Sequence, residues 1–298
     1  MILNSASLPE LFAAYSTAFN KGMDGAKSHY KDVSMVIPST GSEQNYNWLG
    51  QLPKLKEWVG ERAIKKLTAH TYTIKNKTYE ETISVNRVDI EDDNYGIYAP
   101  LFTEMGRVAG EHPDELIFNL LSAGFSTPCY DGQFFFDTDH PVGTNNPVSV
   151  SNMQAGAGDA WYLLDTSRAI KPLLFQERLP YNLSSLTNEG DENVFMRDEY
   201  LYGTRARSNA GFGLWQLAYA SKDTLNAANY AAARQAMMVQ AGDEGRKLGI
   251  IPDTLVVSPS LESEALELIK NNLISDGAGG VVSNQWADTV KVIVVPWL

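Results

Sequence analysis

Residues 111–143 read Glu111-His-Pro-Asp-Glu-Leu-Ile-Phe-Asn-Leu-Leu-Ser-Ala-Gly-Phe-Ser-Thr-Pro-Cys-Tyr-Asp-Gly-Gln-Phe-Phe-Phe-Asp-Thr-Asp-His-Pro-Val-Gly143. One Cys, two His and four Asp in so short a stretch have the look of a catalytic segment. A nucleophile reading pairs Cys129 with His140 as base and with Asp131 or Asp137 to orient it, because Asp139 adjoins His140 and its side chain diverges. Cys129 follows Pro128, however, and has neither a Gly-flanked elbow nor a helix start beside it. A lone cysteine is most often a small buried hydrophobe. A metal reading takes Asp137, Asp139 and His140 as hard ligands, with Glu91, Asp92 and Asp93 available to complete a site. Against it, Asp residues in a turn-rich loop before Pro141 ordinarily cap backbone amides. The stretch therefore reads as structural, and a cysteine- or metal-dependent hydrolase centred on Cys129, Asp137, Asp139 and His140 is the alternative.

Upstream, Ile97, Leu101, Met105 and Val108 recur at helical spacing, and Leu116, Leu120 and Leu121 resume the pattern after Pro113. This predicts a long helix over 96–123, bent or broken near His112-Pro113 because proline removes a backbone donor. Ser7-Leu8-Pro9-Glu10 opens an earlier helix, with Leu8, Phe12, Tyr15 and Phe19 on one face and Gly22 and Gly25 at its end. That helix is too short to form a core alone. Between the two, Trp48 and Trp58 stand in a polar segment, where tryptophan is the type that anchors protein contacts. Thr71–Ile74 and Thr78–Val85 read as two strands of a projecting hairpin turning at Lys75-Asn76-Lys77.

Downstream, 124–158 is rich in turn residues. Strand-like runs follow around Trp161, Ile170–Phe175, Glu199–Arg207 and Gly211–Tyr219, the last two bridged by Ser208-Asn209-Ala210. The final eighty or so residues alternate: a helix capped by Asn226 with Tyr230, Ala233, Met237 and Ala241 on one stripe, and a strand over 254–257. A helix starting at Ser258-Pro259-Ser260 and a strand over 290–295 complete an appended α/β layer.

The 298 residues are 44% hydrophobic and 20% charged, as in ordinary globular proteins, and no apolar run is long enough to span a membrane. The start, Met1-Ile2-Leu3-Asn4-Ser5, does not read as a secretory signal. One cysteine excludes an internal disulfide. The net charge of −12 argues against nucleic-acid binding as the main activity. No Walker loop occurs, and Gly211-Phe-Gly lacks the third glycine of a dinucleotide site. Basic residues concentrate at Lys54, Lys56, Arg62, Lys65 and Lys66, and acidic ones at Glu91-Asp92-Asp93 and from Glu189 to Glu199. Such a separation of signs suits contacts between neighbouring copies.

Several short motifs, in order along nearly the whole chain, resemble the major head subunits of Mu-type phages and Mu-like prophages. They are Phe19-Asn-Lys-Gly-Met-Asp-Gly-Ala-Lys, Trp48-Leu-Gly-Gln, Ile90-Glu-Asp-Asp-Asn, His112-Pro-Asp-Glu-Leu, Gly124-Phe-Ser-Thr-Pro-Cys-Tyr-Asp-Gly-Gln and Phe136-Asp-Thr-Asp-His-Pro. The resemblance implies an α+β fold of the Hong Kong 97 phage type. Its parts would be an N-arm over 1–40, an extended loop over 41–88, a peripheral domain over 89–221 containing a spine helix over 96–123, and an axial domain over 222–298. It implies no enzyme activity and no cofactor. The implied function is self-assembly into hexamers and pentamers of an icosahedral shell around double-stranded DNA, without sequence-specific binding or a membrane. A scaffold protein and a portal would act at assembly in the host cytoplasm. The subunit-interface candidates are Trp48, Trp58, Lys54, Lys56, Arg62, Glu91, Asp92 and Asp93.

Overall fold

The computed structural model describes residues 7–49, 72–92, 94–143, 147–242, 245–275 and 280–298. Two helices set the frame: α1 (Ser7–Gly25), followed by the short α2 (Tyr30–Val33), and further along the long α4 (Ala99–Ser122). Between them run β1 (Ser34–Pro38), β2 (Glu43–Asn45), β3 (Thr73–Lys75), β4 (Lys77–Asn86) and α3 (Arg87–Glu91). α1 buries Leu11, Tyr15, Phe19 and Gly22 against α4, so Gly22 lies inside the helix instead of ending it. The approach is close enough to need glycine on both sides. A Cβ on Gly22 would lie 1.9 Å from the Thr103 carbonyl oxygen, and one on Gly106 would lie 1.9 Å from that of Phe19.

This contact corrects the expected helix face. α4 buries Phe102, Met105, Gly106, Ala109, Pro113, Ile117, Phe118 and Leu121. Of the expected stripe Met105 and Leu121 are buried and Leu116 and Leu120 partly so, but Ile97, Leu101 and Val108, at its start, are 67%, 46% and 52% exposed. The small residues that admit α1 carry little hydrophobic signal, so the periodicity was drawn to the wrong side. The expected break at Pro113 is also absent, and α4 runs through it. Pro113 sits on the buried face between Ala109 and Ile117, where packing on either side offsets the missing hydrogen bond. The next residue, Asp114, is buried and accepts hydrogen bonds from the His29 and Tyr30 amides at the start of α2, 2.7–2.9 Å away.

After α4 come β5 (His140–Val142), β6 (Val148–Val150), β7 (Met153–Gln154), β8 (Trp161–Leu164) and β9 (Leu173–Leu186). Next are α5 (Glu192–Arg197), β10 (Glu199–Phe212), β11 (Ala218–Ser221) and α6 (Ala227–Met238). The chain closes with β12 (Thr254–Val257), α7 (Glu262–Lys270), β13 (Leu273–Ser275), β14 (Val281–Ser283) and β15 (Lys291–Val294).

One sheet has the order β1-β9-β10-β4, with β1 parallel to β9 and the other pairs antiparallel. The two strands expected at 199–207 and 211–219 are instead one long strand to Phe212, then a 3-10 turn and β11. Buried Tyr200, Tyr202, Thr204, Ala206 and Ser208 alternate along it up to the polar bridge, and the strand continues through Asn209 and Ala210 to Phe212. The expected hairpin is also corrected: β3 pairs with β2, while β4 pairs with β10. Asn76 joins β3 to β4 without reversing the chain. Its amide donates to Ser39 Oγ and the Gly41 carbonyl, and its Oδ1 accepts from Gln176.

A second sheet has the order β15-β12-β8-β11-β7. β8 and β12 are buried along their whole length, which explains their unbroken apolar runs. Asn226 caps α6, its Oδ1 accepting from the Asn229 amide at 2.9 Å. Ala241 lies beyond that helix. The last layer is therefore not simply appended: three strands of this sheet precede residue 222 and two follow it.

Candidate functional site

The two acidic stretches singled out in the sequence meet at one end of the first sheet. β4 leads into α3 there, and the β9–β10 hairpin turns through α5 beside it, Asn86 pairing with Glu199. Arg87 ties them together. Its amide donates to the Asp198 carbonyl at 3.0 Å, and its guanidinium lies 3.0 Å from Glu91, 3.8 Å from Glu189 and 3.9 Å from Asp198. The Glu91 hydrogen bond raises the Arg87 pKa further above its ordinary range. Asp89 accepts from the Tyr98 hydroxyl, which raises that phenol. Glu189, Asp191, Glu192, Asp198 and Glu199 add to Glu91 and Asp92, so the Arg87 guanidinium faces a strongly acidic surface.

α5 is held firmly despite its six residues. Asn193 donates from one amide to the carbonyls of Leu186 and Glu199, at 3.1 and 2.7 Å, closing the two strand ends. Val194 is buried with Tyr200 and Tyr202. Asp198, at φ 56°, turns the chain back into β10. With Asn193 and Val194 facing inward, Phe195 and Met196 point to solvent, 82% and 71% exposed. Sequence reasoning missed both, although an adjacent Phe-Met inside an acidic turn was a signal it could have used.

Of the expected interface residues, Glu91 and Asp92 lie at this acidic end. Trp48 is elsewhere, half-buried on the main core, its ring 6.1 Å from that of Tyr46. Lys54, Lys56, Trp58, Arg62 and Asp93 lie outside the described residues.

The Cys129 loop does gather its chemistry-bearing groups, in an order that suits neither catalysis nor the expected metal set. Cys129 Sγ donates to Asp131 Oδ1 at 3.0 Å, and Asp131 Oδ2 is 2.8 Å from His140 Nδ1. Asp131 thus stands between the thiol and the imidazole that would have to activate it. Burial, then the Asp131 charge, pushes the Cys129 thiol well above its usual range, the opposite of an activated nucleophile. His140 stacks on Trp215 at 4.0 Å and 8°, fully buried. Asp137 caps its turn, accepting from the Phe134 and Thr138 amides, and Asp139 is exposed. The ligand atoms that converge, within 4.8 Å, belong to Cys129, Asp131 and His140. Asp137 and Asp139 are not among them. The group is a clasp that closes the loop.

The outward apolar side chains beside α4 and the protruding pair in an acidic rim mark a surface fit to be covered by other subunits, and the fold is that of a phage capsid protein of the Hong Kong 97 type. The chain belongs to the Mu-like prophage major head subunit gpT family, whose model matches residues 8–298. It is 45% identical over 306 aligned residues to the major capsid protein of Escherichia phage Mu, covering all of both chains. It is 44% identical to the Mu-like prophage FluMu major head subunit of Haemophilus influenzae, over 97% of this chain and 96% of that one. Among solved structures it resembles the procapsid of bacteriophage JBD30, with a TM-score of 0.88 and 48% identity over 99% of this chain and 100% of that chain. The JBD30 capsid gives a TM-score of 0.78 and 35% identity over 100% and 99%. The protein is a structural component of the virion capsid, and its family is one of capsid subunits.

Proposed function

We propose that copies of this chain assemble as hexamers and pentamers into a closed icosahedral shell around double-stranded DNA. The extended loop over 41–88 of each copy reaches onto its neighbour. The observation that carries this reading is an outward apolar stripe, Ile97 in the turn just before α4 with Leu101 and Val108 on it, beside an acidic end bearing Glu91 and Asp92. The loop supplies what both lack: apolar residues such as Trp58, and Lys54, Lys56, Arg62, Lys65 and Lys66. The N-arm, peripheral and axial divisions follow the family plan, with β7, β8 and β11 completing the axial sheet. A scaffold protein and a portal are partners at assembly in the host cytoplasm, and the acidic chain holds packaged DNA without reading its sequence. Individual contacts can be weak, because closed symmetry repeats them many times.

Negative-stain electron microscopy with size-exclusion chromatography of the chain, alone and co-expressed with a scaffold, is the direct test. Closed shells, capsomers or curved sheets support the reading; a monomer dispersed under both conditions sinks it. For the contact itself, Arg62→Glu should abolish particles and Glu91→Lys or Asp92→Lys should restore them. Failure of every compensating pair removes this part of the proposal.

A further inference from the structure

The Phe195–Met196 pair lies outside the residues just assigned to the interface. Two adjacent large apolar side chains, both mostly exposed and on a turn pinned by Asn193 and Val194, are costly to leave in water. Leu186 and Val88 are also exposed on the hairpin and on α3 at this end of the sheet. The rim is acidic, with Glu189, Asp191, Glu192, Asp198 and Glu199 set against Arg197 and Arg87. Charge therefore selects the occupant. Two such tips facing each other would bring like charges together, which disfavours tip-to-tip pairing. Residues 50–71 carry the opposite character: five basic residues against Glu57 and Glu61, interleaved with Leu52, Leu55, Trp58, Val59, Ile64 and Leu67.

We infer that α5 is a docking knob on which Phe195 and Met196 anchor the basic, apolar 50–71 segment of a second copy. This rests on the shell reading and deepens it by moving the centre of the contact from the Ile97–Val108 stripe and the Glu91 and Asp92 carboxylates to the Phe195–Met196 pair. Buried apolar anchors dominate interface energy, and rim charges mainly steer and orient. The carboxylates of α5 then serve as the rim.

The test uses full-length chain in assembled particles. Met196→Cys is combined in turn with Leu55→Cys, Trp58→Cys and Ile64→Cys and oxidised; Cys129, buried and held protonated, gives a low background. The expected result is covalent linkage of two or more copies in at least one combination. Particles yielding only single chains, or links within one chain, overturn the proposal. A companion Phe195→Ser/Met196→Ser variant should keep its melting temperature and monomer solubility while particle yield falls at least tenfold. Particles at the parental yield overturn the proposal and leave the knob free for a different partner on the shell. Absence of particles from the unmodified chain bears on the shell reading instead, so the two failures are distinguishable.

Discussion

At the scale of the residue, Asp131 shows how a catalytic-looking group serves structure. Burial works against its ionised form, but hydrogen bonds from His140 and Cys129, with the Gln133 amide, hold its carboxyl below the usual range. A depressed folded pKa means stability that is fully present above the unfolded value and lost as pH falls through the folded one. Loss should develop as pH falls through the unfolded aspartate value of about 3.9 and on to the lower folded value. Urea midpoints measured from pH 7 down to pH 2 should fall across that window. In Asp131→Asn the midpoint should be lower at pH 7 and should fall less on acidification. A parallel pH dependence in both proteins would remove Asp131 from the explanation. The same loop shows what the sequence could and could not give. It named Cys129 and His140 and preferred a structural role for them. The order thiol–carboxylate–imidazole was invisible, because it depends on how the turn at Gly132 folds back.

The α1–α4 pair belongs to the scale of the element. Its interface is a seam of small residues, Gly22 against Gly106, with Gly110 facing Ala26. Alanine at 106 gains helix propensity of up to ~1 kcal/mol, but its methyl would overlap a backbone carbonyl that cannot rotate away. Overpacking of this kind costs roughly 1–3 kcal/mol or more. Gly106→Ala should therefore lower stability by about 2 kcal/mol. Gly25→Ala, with open space around it, should not destabilise, and denaturant unfolding of the two side by side is the check. A further attachment joins the middle of α4 to the first sheet: His112 pairs with the Tyr181 hydroxyl and packs edge-on to Tyr79, ring centroids 4.2 Å apart. Burial lowers the His112 pKa, so the neutral ring that this pairing uses is favoured. Periodicity located both helices, yet it placed the buried face of α4 by its large residues, where glycines carried the contact.

For the whole molecule, the surface left over after folding decides assembly. The chain is acidic overall, and a basic stretch, Lys54 to Lys66, is complementary to its acidic end. Charge-steered contacts weaken as the screening length falls from about 10 Å at 0.1 M salt to about 3 Å at 1 M. Particle yield, followed by light scattering and microscopy, should accordingly drop as sodium chloride is raised. Sulfate, which strengthens apolar burial, should oppose that loss if Phe195 and Met196 are the anchor. A yield indifferent to both salts would leave neither charge nor apolar contact in control.

The sequence by itself determined the local elements and the kind of molecule. Apolar spacing located α1 and α4, the Asn226 cap and the buried run over 254–257 located α6 and β12, and ordered motifs marked the family. These signals are local, or accumulate along the chain, so they survive without coordinates. Tertiary structure alone decided the rest. It set which stripe of α4 is covered, that Asn76 kinks the chain where a reversal was expected, and that 199–212 is one strand. It also brought Glu91 and α5 to the same end of a sheet, although a hundred residues separate them. Each depends on contacts between distant segments: a helix approaching at a glycine, a side-chain amide bridging two segments, a strand finding its partner. Such contacts leave no period in the sequence, because the residues that make them were never neighbours in it.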